Sequence, residues 1–276
     1  MTCNYDAWLS SFSTNTVVVA NIRTATYIAP KAGNKPIVLF VHGINGDHHG
    51  MVPVAYLLRD TCRVVFVDMP GHGASELPLG DNALARMQAW AQALSKALHE
   101  IGIEITAAVG HSFGAYIVQE TGVSTIALLN PPFAATSLSY RSTVVLGHAP
   151  PFVARVYQSK TAMIGRGHWL MHKRTKATDE IIAWSSRLTR VTKEQFKFQA
   201  RLSDQVAPLE LVDIERLKAL PHLHIVMSEY DRIVDNSFAP LDKLPNATIV
   251  TLPTDHVSVF EMPDKVAGEV KKLLSV

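Results

Sequence analysis

Ser112 stands between two glycines in Gly110-His111-Ser112-Phe113-Gly114. An apolar run precedes it and a helix-compatible run follows. A strand–G-x-S-x-G–helix passage is the context of a nucleophile elbow: the serine occupies a strained turn, and small neighbours let strand and helix approach closely. The start of the following helix also favours negative charge developing near the serine oxygen. The bland alternative is an ordinary glycine-rich turn.

A serine hydroxyl attacks only when a base takes its proton, and the base needs an orienting acid. In this arrangement both should follow the serine, each just after a late strand. The run 222–227 leads into SEYDRIVD, which offers Asp231 and, less favourably placed, Asp235. The run 247–252 leads into PTDHVSVFEMP. His256 there is the only histidine after His224, so it is the expected base. Asp231 follows its strand sooner, in a tight turn, and is the preferred acid. Read blandly, Asp231 only forms a turn and His256 only decorates a loop. Together with Ser112, in this order, they make an acyl-transfer constellation.

The tetrahedral intermediate of such chemistry needs donors for its oxyanion. Phe113 follows the nucleophile and offers its backbone N–H. The loop after 37–41 reads HGING, where His42 and Gly43 should turn the chain so that the Ile44 N–H faces the serine. A metal reading of His42, His48 and His49 is weaker, since no acidic partner stands at a recognised ligand spacing. No metal and no cofactor is expected, and the role of the adjacent His48 and His49 is left open.

The elements that must position these groups alternate along the chain. TVVVANIRTATYIA (16–29) reads as two short strands or one bent strand, and IVLFV (37–41) and RVVFVD (63–68) as strands covered on both faces. MVPVAYLLRD (51–60) reads as a helix between them. Asp81 is the expected cap of a long helix whose apolar stripe runs Leu84, Met87, Ala91, Leu94, Leu98 and Ile101, with Gly102 as its stop. Strands are expected at 105–109, 125–129, 222–227 and 247–252, and a C-terminal helix on Val266, Val270 and Leu273. Alternating strands and helices before about 130 and after about 205 predict a mostly parallel α/β sheet with helices on both faces. The segment 131–205 breaks the rhythm and reads as a helical lid inserted between two parts of one core, 1–130 and 206–276.

Several passages together resemble the α/β-hydrolase superfamily: LFVHGING at 39–46, VFVDMPGHGAS at 65–75, VGHSFGA at 109–115, SEYDRIV at 228–234 and DHVSVFEMP at 255–263. The resemblance implies the α/β-hydrolase fold, the elbow and the Ser112–Asp231–His256 triad. It makes His72 a structural residue of the D-x-P-G-H-G-x-S loop. Asp255 departs from the small residue often found before the histidine, which should alter that loop slightly. Ser112 stands where haloalkane dehalogenases and epoxide hydrolases carry an aspartate; cofactor-free dioxygenases share the fold and are not separated by motif. Lid length and the D-x-P-G-H-G loop look most like small carboxylesterases and C–C bond hydrolases. A superfamily does not specify a substrate.

Composition narrows the rest. The 276 residues carry 26 Lys/Arg and 24 Asp/Glu, too even a balance to argue for nucleic acid or a membrane surface. Two cysteines make no disulfide framework. No apolar run approaches the roughly 20 residues needed to span a bilayer, and the N-terminus lacks a signal peptide's basic start and apolar core. A cytoplasmic protein is expected. The charge is unevenly spread: residues 131–201 hold twelve Lys/Arg and three acidic residues, about +9, against about −7 elsewhere. This is either a solvated helical surface or an attractor for an anionic substrate, an acyl carrier or an acidic membrane. Phe133, Phe152, Tyr157, Met163 and Trp169 are candidates to line an acyl pocket or simply to pack the lid. The expected substrate is a small ester or thioester. Alternatives are an anionic diketone cleaved at a C–C bond, and a ligand-binding protein with vestigial hydrolysis.

Overall fold

The computed structural model describes residues 4–133, 159–188, 191–206, 211–235 and 239–275. After a short helix α1 (Tyr5–Leu9) come β1 (Ser13–Val19) and β2 (Ile22–Ile28), then β3 (Ile37–Val41), α2 (Val52–Leu57), β4 (Arg63–Val67), α3 (Ala83–Glu100), β5 (Ala107–His111), α4 (Phe113–Glu120) and β6 (Thr125–Leu129). Helices α5 (Lys160–Trp169), α6 (Lys176–Leu188) and α7 (Lys193–Val206) stand between β6 and β7 in the chain. The remainder is α8 (Ile214–Lys218), β7 (His222–Ser228), β8 (Ala247–Leu252), α9 (Ser258–Glu261) and α10 (Pro263–Leu273).

The eight strands form one sheet in the order β1-β2-β4-β3-β5-β6-β7-β8. β1 pairs with β2, and β2 with β4, antiparallel; every other pairing is parallel. Of the two readings of 16–29, two strands or one bent strand, the structure has two, β1 and β2, joined by Ala20 and Asn21, both at positive φ (47° and 64°), the two-residue hairpin geometry that matches strand twist.

Alternation along the central strands supplies two cores. Leu39, Val41, Val65 and Val67 face α3, α4 and α7, with Met87, Leu94, Leu98 and Phe198. Val38, Phe40, Val64 and Phe66 face α2 and α10, with Val54, Leu58, Val266 and Val270. Both faces of the sheet are covered, which is why these strands read as continuous apolar runs.

Three expectations need correction. The cap of α3 is Asn82, whose side chain accepts from Ala85 N at 2.9 Å, whereas Asp81 lies outside the helix and is held through its carbonyl by Gln205. Ile101 leaves the buried stripe because it is the C-cap, 46% exposed, and Trp90 takes buried area instead, donating to Thr24 Oγ1 at 2.8 Å. The strand expected at 105–109 is β5, Ala107–His111, two residues later: pairing to β3 starts at Ala107 and runs to Gly110, and pairing to β6 carries the strand on to His111, the residue before Ser112.

α7 is tied to the loop after β4. Gln195 donates to the Gly73 carbonyl at 2.9 Å and Gln199 to that of Gly71 at 3.1 Å. Among the described residues, no helix is long and apolar enough to cross a membrane.

Candidate active site

Ser112 sits at the junction of β5 and α4 with φ 54° and ψ −122°, a conformation that side chains rarely adopt. The glycines around it answer to distance. A Cβ on Gly110 would lie 2.1 Å from Gly114 O, and one on Gly114 would lie 2.3 Å from Val41 O. Both clashes are with backbone, so neither glycine tolerates a side chain without a shift of β3, β5 or α4. The turn is held from outside by Ser112 N, which donates to Leu129 O at 2.8 Å.

The structure brings together three side chains from the ends of three different strands. His256 Nε2 lies 2.8 Å from Ser112 Oγ, and His256 Nδ1 lies 2.9 Å from Asp231 Oδ2 and 3.1 Å from Oδ1. All three residues of this chain of contacts are largely removed from solvent; Ser112 and His256 retain 8% and 6% exposure. Asp231, not Asp235, is the carboxylate against the imidazole. Its Oδ1 also accepts from Ile233 N at 2.8 Å and Val234 N at 2.9 Å. Burial alone would raise the Asp231 carboxyl. The His256 ring and these two N–H groups outweigh it and hold the group below the ordinary carboxylate range.

The turn after β3 reaches the same place: a Cβ on Gly43 would be 3.1 Å from Ser112 Cβ. The backbone N–H groups of Ile44 and Phe113 have no hydrogen-bond partner among the described residues. His42 is turned away from the serine, with Nε2 accepting from Met69 N at 3.1 Å and Nδ1 2.8 Å from Gly43 O. His72 is fully buried, its Nδ1 2.9 Å from Pro70 O, and burial next to His42 pushes it down to about 3.

His48 and His49 do have acidic partners, which their spacing in the chain concealed. His48 Nδ1 lies 2.9 Å from Asp68 Oδ1 and His49 Nδ1 2.9 Å from Asp47 Oδ1. Asp68 directly follows β4 and also accepts from Tyr27 Oη at 3.0 Å and from the N–H groups of His48 and Ala74 at 2.9 Å. Tyr27 stacks on His48 at 3.7 Å, His48 and His49 lie with centroids 4.0 Å apart and planes tilted by 34°, and His49 meets Trp184 of α6 edge-on. Asp47, His48 and His49 offer ligand atoms within 4.8 Å of one another. Both Nδ1 atoms already face carboxylates, His48 that of Asp68 and His49 that of Asp47.

Other polar residues join the site without a motif to mark them in the sequence. Asn130, the residue after β6, donates to Ser228 Oγ at 2.6 Å and to Asp231 Oδ2 at 3.3 Å, and accepts from Ser258 Oγ at 2.5 Å. His111 Nε2 lies 2.9 Å from the carbonyl of His256. The available signal was position: each is a polar residue at the carboxyl end of an apolar strand or within two residues of Ser112 or His256.

The described cations between residues 131 and 201 mostly face solvent. Lys173, Arg174, Lys176, Arg187, Lys193, Lys197 and Arg201 are exposed, and Arg166 is half-buried. Arg141, Arg155, Arg190, Phe152, Tyr157 and the side chain of Met163 lie outside the described residues. Phe133 is buried and Trp169 is 49% exposed.

A mainly parallel eight-stranded sheet carrying a serine on a strand–helix elbow defines an α/β-hydrolase fold. The chain belongs to the alpha/beta hydrolase family, whose model matches residues 38–269. It is 34% identical over 109 residues to the dihydrolipoyllysine-residue acetyltransferase component of the acetoin cleaving system of Cupriavidus necator, covering 37% of this chain and 28% of that protein. It is 32% identical over 109 residues to the (E)-2-((N-methylformamido)methylene)succinate hydrolase of Acinetobacter baylyi, covering 40% and 39%. The chain thus matches well under half the length of either curated relative. Among solved structures it is similar to the 2-hydroxy-6-oxo-6-phenylhexa-2,4-dienoate hydrolase of a Rhodococcus species (TM-score 0.77, 17% identity, 96% of this chain and 99% of that one). It is also similar to the enol-lactonase of Burkholderia xenovorans (TM-score 0.74, 17% identity, 95% and 100%).

Proposed function

We propose that this protein is a serine hydrolase that cleaves a carboxylic ester or thioester through an acyl-enzyme. The observation that carries the reading is the unbroken Ser112–His256–Asp231 contact chain, with its two links at 2.8 and 2.9 Å. Asp231, ionised, accepts a hydrogen bond from the Nδ1–H of His256, fixes that tautomer and so presents Nε2 as a base. The Ser112 Oγ attacks the substrate carbonyl while its proton passes to His256 Nε2. The carbonyl oxygen becomes an oxyanion, and the Ile44 and Phe113 N–H groups, without other partners among the described residues, are the proposed donors to it. The C–O or C–S bond then breaks, and His256 returns the proton to the departing alkoxide or thiolate. Water repeats the sequence on the acyl-enzyme, releasing the acid and regenerating Ser112.

A second reading within the same site is cleavage of a C–C bond in an anionic diketone, with the same serine and histidine. It draws on the likeness to proteins whose names describe a succinate-derivative hydrolase and a dienoate hydrolase. The net positive charge of the inserted segment fits a negatively charged substrate or acyl carrier under either reading. We assign that segment the part of a lid.

The decisive experiment is labelling with a fluorophosphonate probe, followed by assay of short- and long-chain p-nitrophenyl esters, a thioester and a vinylogous diketone acid. Labelling at Ser112 and a loss on the order of 10⁶ in kcat for Ser112→Ala are expected. Absence of both would leave a ligand-binding protein with a vestigial site. Turnover of the diketone alone would favour the second reading. For the lid, reversing charge at Arg155 and Arg166 should raise KM for acidic esters and leave neutral ones unchanged.

A further inference from the structure

Arg232 adjoins Asp231, and Asp255 adjoins His256, yet neither belongs to the contact chain. The Asp255 carboxylate is fully buried. Its Oδ1 accepts from His256 N at 2.7 Å and from Arg232 N at 2.9 Å, while Arg232 Nε lies 3.0 Å from its Oδ2. One carboxylate oxygen therefore ties the backbone beside the acid to the backbone of the base. A buried carboxylate held this way needs its counter-charge close by, and Arg232 provides it.

The same arginine reaches across to the inserted segment. Its Nη1 donates to the Trp169 carbonyl at the C-terminal end of α5, 2.5 Å away. A second bridge runs parallel to it. Glu261 Oε1 accepts from Asp255 N at 2.9 Å and from His172 N at 2.8 Å, and Oε2 accepts from Lys173 N at 3.4 Å. His172 stacks on Tyr230 with centroids 3.7 Å apart and planes 11° apart. Beneath them Met171 and Ile182 of the insertion pack with Val257, the residue after His256. Residues 169–173 are thus fastened to both loops that carry the acid and the base.

We propose that Arg232 and Asp255 are positioning residues that couple the seating of the inserted helices to the alignment of Asp231 and His256. The proposal rests on the triad reading above. When the Trp169–Lys173 stretch leaves its place, Arg232 loses an acceptor and Glu261 loses two donors, and both losses fall on groups that touch Asp255. The base and acid loops then lose the brace that sets their separation. Seating and reactivity rise and fall together.

The test compares the wild type with Arg232→Ala, Arg232→Lys, Asp255→Asn and the double variant Arg232→Ala/Asp255→Asn. It reads kcat and KM on p-nitrophenyl butyrate, the rate of fluorophosphonate labelling, and amide hydrogen exchange at residues 169–173. Arg232→Ala should slow kcat and labelling by about 10- to 100-fold, the range typical of lost support to a functional side chain. It should also speed exchange at His172 and Lys173. Arg232→Lys should recover only part of the rate, since an ammonium cannot hold Asp255 and the Trp169 carbonyl in one planar fork. The double variant should be faster than Arg232→Ala, because it no longer buries an unpaired carboxylate. Wild-type labelling by Arg232→Ala, or slowed labelling with unchanged exchange at His172 and Lys173, would overturn the coupling. Should Arg232→Ala fail to fold, Glu261→Gln probes the second bridge: faster exchange with a lower kcat supports the proposal, and neither change refutes it. An unlabelled wild type would instead sink the serine-hydrolase reading, and the exchange data would still report whether Arg232 holds the insertion.

Discussion

The imidazole of His111 holds the backbone carbonyl of His256 at 2.9 Å, so the residue before the candidate nucleophile supports the loop of the candidate base from 145 positions away. Only a protonated Nε2 can donate to that carbonyl, which fixes the tautomer of neutral His111. Burial, with the neighbouring His256 ring second, pushes His111 down to about 3, and His72 is pushed down to about 3 as well.

Acid stability follows from those two rings. Both are neutral when folded and bind protons near 6.5 when unfolded, so their contribution is complete above pH 6.5 and is lost as pH falls toward 3. Unfolding in that window should take up two extra protons, a slope of about 2.7 kcal/mol per pH unit. Urea unfolding between pH 7 and pH 4 measures it, and His111→Gln should remove about half the slope. A slope unchanged by that substitution would contradict the assignment.

Asp231 and Asp235 are distinguished by one substitution each. Asp231→Asn should lower kcat by about 10⁴ by presenting the wrong His256 tautomer, with little change in KM. Asp235→Asn should stay within a few-fold of wild type on the same ester. Equal losses would place the acid wrongly.

Two glycines in the same chain should respond in opposite directions to an added methyl. Gly114→Ala sets a Cβ 2.3 Å from Val41 O and 2.6 Å from His42 O, both immovable backbone. It should cost about 1–3 kcal/mol or more and abolish labelling of Ser112. Gly268, in α10, has nothing within 4 Å of its Cβ position, and Gly268→Ala should gain roughly 0.5–1 kcal/mol. Thermal melts read both.

Tyr27→Phe removes one of the donors to the buried Asp68 carboxylate. A hydrogen bond to a charged group contributes about 1.5–3 kcal/mol, so the urea midpoint should fall accordingly. The stack of Tyr27 on His48 survives this change. If the midpoint does not move, Asp68 is adequately held by His48 and Ala74 alone.

Much of this architecture was legible one strand at a time. Strands β3, β4 and β6 read correctly because both faces of each are covered, which writes an uninterrupted apolar run into the chain. That the side chains of Ser112, Asp231 and His256 meet was legible from their places after β5, β7 and β8. The limits of α3 were less so: Asp81 and Asn82 are both good capping residues, and the choice fell to the one whose side chain meets Ala85 N. The start of β5 was misplaced because Ile105 and Thr106 suit a strand intrinsically, and only pairing with β3 sets where the ladder begins.

What the sequence determined by itself is the class of fold and the candidate site residues at its strand ends, since both follow from local pattern: apolar periodicity, glycine at points of close approach, and polar residues at strand ends. What only the tertiary structure decided is which polar groups from distant segments share a partner. His48 and Asp68, Asn130 and Ser258, and Arg232 with Asp255 and Trp169 are separated by 20, 128, 23 and 63 positions. No spacing rule reaches that far, because such contacts depend on how strands cross over in the sheet and where an inserted helix comes to rest.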